Sequence, residues 1–119
     1  MAGAAYYGCG AVTIPLQRSS GVTPAVDLVL FSANPTGSTI TDHSAVAIVA
    51  ADLGKVVGVM HLTDATALGS TSVMQSQQQA LPFILAAGSS TLYATIITRS
   101  TAVLTSTSDM TVTIQVLLH

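Results

Sequence analysis

The chain has 119 residues, enough for one domain with a real core, and half of them are apolar. Only 7% are charged, against about 25% in an average domain, and the net charge is −2 with three basic residues, Arg18, Lys55 and Arg99, far apart in sequence. That excludes nucleic-acid binding, which needs clustered phosphate contacts, and the absence of any run of about 18 apolar residues gives no transmembrane helix, so no membrane partner is expected.

The polarity comes instead from 13 serines and 16 threonines. So few charges protect a free monomer poorly against association, and the expectation is a surface buried against other subunits. Met1–Gly10 carries no basic region of a signal peptide. Cys9 is the only cysteine, which rules out an intrachain disulfide and suits assembly in a reducing compartment.

In chain order, Met1–Gly10 reads as a flexible arm, rich in Gly and Ala, with Tyr6 and Tyr7 as anchors for a neighbouring subunit. The single domain is expected over residues 11–119. Ala11–Arg18 alternates, with Val12, Ile14 and Leu16 on one side, and Pro15 predicts an edge or a bulge. Ala25–Ser32 reads as a buried strand, apolar on both faces after Asp27, and Asn34-Pro35-Thr36-Gly37 stops it. Ser38–Ser44 reads as a loop, Ala45–Val49 as a short apolar strand, and Ala50–Lys55 as one helical turn with Gly54 near its end.

Val56–Leu62 reads as a strand, with Val57, Val59 and His61 on one face. Thr63–Thr71 is expected to connect, with room for a short strand, and Ser72–Ala80 to be extended or loop-like. Leu81–Ala87 predicts a strand with Phe83 and Leu85 opposed to Ile84 and Ala86. The clearest strands are Thr91–Thr98 and Met110–Leu118. In the last, Met110, Val112, Ile114, Val116 and Leu118 share a face, a period of two. The segment between them is long for a tight hairpin, so the two strands either pair through a bulged loop or lie in separate sheets. The whole is an all-β chain of about seven to eight short strands with little helix, an antiparallel sandwich or jelly roll.

No catalytic constellation is expected. There is no G-x-S-x-G, H-E-x-x-H or P-loop pattern. Asp42/His43 reads as turn chemistry, and His61, three residues before Asp64, as a satisfied histidine at a core edge or interface. The aspartates and His43 show no metal-ligand spacing, so neither metal nor cofactor is expected. The interface residues expected from composition are Tyr6, Tyr7, Thr41, Asp42, His43, Gln77, Gln78 and Gln79.

Six stretches carry a resemblance: Leu30–Thr36, Thr41–Ala45, Ala51–Gly58, Leu81–Gly88, Thr91–Ala94 and Ser108–Val112. Together they make the chain similar to a group of small virion proteins of tailed bacteriophages. The resemblance implies a β-rich head protein, made in the host cytoplasm and carried on the capsid surface as a decoration or cement protein. Its implied partner is the major capsid protein, and its implied state is a homotrimer. The alternative is a tail, baseplate or fibre component. A glycan-binding jelly roll is a third class, disfavoured because sugar sites use aromatic platforms and the chain has no Trp and three Tyr.

Overall fold

The computed structural model describes residues 5–15, 24–41, 44–75, 81–85, 88–99 and 110–118. The chain is all-β: the described residues form eight strands in two antiparallel sheets and one short helix. The strands are β1 (Ala5–Pro15), β2 (Val26–Phe31), β3 (Val56–Leu62), β4 (Ala65–Leu68), β5 (Thr71–Gln75), β6 (Leu81–Ile84), β7 (Tyr93–Thr98) and β8 (Thr111–Leu118), and α1 is Ala50–Leu53.

The first sheet is built around β1. One edge of β1 pairs with β8 over Tyr6–Thr13; the other pairs with β6 over Ala5–Gly8 and then with β5 over Ala11–Pro15. β4 closes that side by pairing with β5. This corrects the flexible arm and the domain boundary at residue 11. From Ala5 onward the segment is ladder, and Gly8 and Gly10 lie inside it. Intrinsic strand propensity argues against glycine there, but pairing on both edges overrides it. Pro15 forms the last rung, opposite Thr71. A missing N–H is tolerated at a strand end.

The second sheet has the order β3-β2-β7. β2 is its centre and is buried along its whole length, as its apolar run requires. The register with β3 shifts between Leu30 and Phe31, a bulge that twists the end of the strand. Thr91–Thr98 and Met110–Leu118 thus lie in different sheets, and of the stretch Ser72–Ala80, read as extended or loop-like, residues 72–75 are extended, in β5. β4 and β5 form a hairpin over Gly69-Ser70, with Gly69 at φ 76, a left-handed geometry that suits glycine.

The two sheets share one core. Val26, Leu28 and Leu30 of β2, Met60 and Leu62 of β3, and Met74 of β5 are all within 1% of complete burial. Each such side chain contributes roughly 1.5–3 kcal/mol of gross apolar burial. Val112 and Ile114 of β8 pack against this cluster, and Thr111 and Thr113 point out, as the alternation predicts. Phe83 is buried and Ile84 exposed, again in phase.

Candidate functional site

Residues 32–55 leave the second sheet between β2 and β3 and return to it. Two bonds close the base: the Ser32 amide donates to the Lys55 carbonyl at 2.8 Å, and the Ser32 hydroxyl donates to the same oxygen at 3.3 Å. Inside, Thr39 and Ala47 form a two-way bridge that closes a small hairpin.

The excursion is pinned by Asp52, which is buried on α1. Its Oδ2 accepts from the Gly37 amide at 3.0 Å and from the Ser38 hydroxyl at 2.7 Å. Its Oδ1 accepts from Lys55 Nζ at 2.6 Å, and that ammonium also donates to the Asn34 carbonyl at 2.9 Å. The hydrogen bond from Lys55, then that from Ser38, holds the carboxyl below the usual carboxylate range, against the opposing effect of burial. A side chain at Gly37 would crowd its neighbours: an added Cβ would lie 3.1 Å from Val49 and 3.3 Å from the Asp52 carboxylate. The turn Asn34–Gly37 is thereby locked to α1, and the outward side of the excursion presents Ile40, Val49 and Leu53, the last 59% exposed.

A second buried carboxylate, Asp27, lies on the central strand of the same sheet. His61 is directly opposite on β3, and its Nδ1 donates to Asp27 Oδ1 at 2.7 Å. An ionised carboxylate only accepts, so that nitrogen carries the proton. Arg99, just past β7, donates to Oδ2, and its amide donates to the Ala25 carbonyl at 2.8 Å. Burial works to raise the Asp27 pKa, but the His61 and Arg99 hydrogen bonds and charges outweigh it and leave the group below its ordinary value. Both oxygens are engaged, one from each flanking strand, so Asp27 staples β3, β2 and β7. His61 answers Asp27 across the ladder; its sequence neighbour Asp64 is exposed on the connection to β4.

Of the expected interface residues, Tyr6 and Tyr7 have their backbones inside the first sheet, opposite Phe83 and Pro82 on one edge and Leu118 and Leu117 on the other. Thr41 is exposed at the hairpin tip, where its carbonyl accepts from the Ser44 amide at 3.2 Å. Asp42, His43, Gln77, Gln78 and Gln79 lie outside the described residues. Sequence reasoning missed the apolar outer residues Val49 and Leu53. The signal was there, because a four-residue helix cannot bury every apolar side chain it carries.

Among the described residues no three His, Cys, Asp or Glu side chains are grouped to hold a metal, and no helix is long and apolar enough to cross a membrane. No known protein family, curated protein or solved structure matches this chain.

Proposed function

We propose that this chain is a structural virion protein, a decoration or cement protein that binds the outside of a bacteriophage head and strengthens contacts between capsomers. The observation that carries the reading is the pinned excursion at residues 32–55. It is held rigid by a buried carboxylate and turns Ile40, Val49 and Leu53 outward. A preorganised loop loses little entropy when it docks. Within it, Asp52 and Lys55 neutralise each other, and the exposed Ile40, Val49 and Leu53 supply apolar surface for docking. The sequence resemblance to small phage head proteins points the same way. Weak contacts of this kind gain strength by repetition on a lattice, and a trimer suits the local three-fold positions of a capsid shell, with the major capsid protein as its partner.

The test is a comparison of heads assembled with and without the protein. Heads lacking it assemble but open at lower temperature or under milder osmotic shock, and adding purified protein restores them. Equal stability with and without it overturns the cement role. Antibody label on the tail rather than the head moves the protein to the tail, baseplate or fibre class.

A further inference from the structure

His61 and Arg99 each hold Asp27 with one end of the side chain and leave the other end in solvent. On His61, Nδ1 donates to Asp27 Oδ1, which leaves Nε2 at the outer edge of the ring. On Arg99, Nε donates to Oδ2 and Nη2 lies against the same oxygen, which leaves both N–H groups of Nη1. Among the described residues neither Nε2 nor Nη1 has a hydrogen-bond partner. The His61 side chain is 68% exposed and that of Arg99 58%.

The two side chains share a face of the second sheet. His61 is directly opposite Asp27 on β3, and Arg99 is two residues beyond Ile97, which is opposite Asp27 on β7. The backbones of β3 and β7 stand about 10 Å apart, and the two heads converge over the carboxylate between them. Asp27 also sets what each head offers. A neutral imidazole that carries its proton on Nδ1 has a lone pair at Nε2, so the pair presents one acceptor beside one cationic donor. An imidazole backed by a carboxylate suits a metal ion too. Here, however, a guanidinium stands on the same carboxylate and repels a cation, both carboxylate oxygens are engaged, and among the described residues no three metal-ligating side chains are grouped. The complement of an acceptor and a cation is an anion that brings its own proton.

We propose that His61 and Arg99 form a binding site for a protonated phosphoryl group, that of hydrogen phosphate or of a phosphate monoester. The P–OH donates to His61 Nε2, and an anionic oxygen accepts from Arg99 Nη1. Asp27 touches no part of the ligand; it is a positioning residue that fixes the tautomer of one contact and the orientation of both. Selectivity follows from the hydrogens. Sulfate has the same shape but no proton, so it sets an oxygen lone pair against Nε2. A phosphodiester also lacks the P–OH, which excludes a nucleic-acid backbone, as does the want of clustered basic residues. Both contacts face water, so the affinity is modest, with a Kd on the order of 1 mM. The inference is independent of the virion reading.

The test is titration of the full chain with inorganic phosphate, phenyl phosphate, sulfate and dimethyl phosphate, followed by the imidazole nitrogen resonances in NMR. Mildly alkaline pH keeps phosphate as the dianion with one proton left. Phosphate is expected to shift the His61 resonances and leave those of His43 and His119 in place. Sulfate and dimethyl phosphate are expected to bind at least about tenfold more weakly, the fold-change that follows from losing one charge-assisted hydrogen bond. Phenyl phosphate separates the sources: binding equal to that of phosphate assigns the site to a phosphoryl group on a larger molecule, and its exclusion assigns the site to the free ion. His61→Asn keeps an N–H for Asp27 and removes Nε2, so it is expected to retain the wild-type circular dichroism and to lose phosphate affinity at least about tenfold, read on the amide resonances of β2 and β3. Sulfate binding as tightly as phosphate, equal shifts at all three histidines, no shift at His61, or a folded His61→Asn with wild-type affinity each overturn the proposal. The wild-type titration decides it even where the variant does not fold.

Discussion

Removing Arg99 should destabilise the fold more than neutralising the carboxylate it serves. Arg99 is 58% exposed at its side chain, whereas Asp27 is 4% exposed. Arg99→Ala leaves a buried charge with only His61 to answer it. Hydrogen bonds to charged groups contribute about 1.5–3 kcal/mol, and an uncompensated buried charge costs more; solvent screening of the exposed guanidinium trims this. The expected loss is about 2–3 kcal/mol. Asp27→Asn keeps the shape and removes the buried charge. Its amide oxygen still accepts from Arg99, its NH₂ faces His61, and the imidazole takes the other tautomer. The expected loss is about 1 kcal/mol. In Arg99→Ala/Asp27→Asn the stranded charge is gone, so the double variant should be more stable than Arg99→Ala alone. Urea unfolding at fixed protein concentration reads this directly. With a slope of about 1.5 kcal/mol/M, Arg99→Ala moves the midpoint by roughly 1–2 M. Acid adds a second reading. The Asp27 carboxyl is held below its ordinary value when folded, so its stabilisation is present above an unfolded pKa of about 3.9 and is lost as pH falls through the lower folded value. Asp27→Asn should therefore flatten the acid limb of the stability curve. Additive losses, or a double variant weaker than Arg99→Ala, would refute the staple.

Two further expectations follow from the core boundary and the hairpin. Leu28→Ala should cost about 3 kcal/mol, while Ile96→Ala, on the neighbouring strand and the same face, should cost under about 1 kcal/mol in a monomeric background, as both midpoints in urea will show. Gly69→Ala has open space around it but a left-handed backbone, so it should lose about 1–2 kcal/mol and speed amide exchange across β4 and β5 ahead of the rest of the chain.

Much of the fold was readable because its strands are amphipathic in phase. Val112 and Ile114 against Thr111 and Thr113, and Phe83 against Ile84, follow alternation that any half-buried strand must show. β2 was readable for the opposite reason, since an unbroken apolar run fits a strand covered on both sides. The first half of β1 was not, because Gly8 and Gly10 have no side chain to announce a face, and what makes the segment a strand is three partners far away in sequence. β5 was obscured because the residues it buries, Ser72 and Met74, include a hydroxyl. The two-residue Gly69-Ser70 turn was the available signal. The staple was out of reach: Asp27 and Arg99 are 72 residues apart, and only the ladder register brings them together. The Asp52 clamp spans a short loop, but nothing in the sequence says which hydroxyl a lone aspartate will choose.

The central position of β1 also sets a timetable. Tyr6 is opposite Leu118, and Pro15 opposite Thr71, so nearly all contacts of this strand are with residues synthesised long after it. At about 5–20 residues per second, the strand leaves the ribosome roughly 5–20 s before β8 does. During that interval β2 and β3 can already pair across residues 32–55, while the centre of the first sheet waits for its partners. Long-range pairing of this kind is slow. The first sheet is complete only once its last strand, β8, has been made, and until β5 and β6 follow, the uncharged eleven-residue strand β1 stays unpaired.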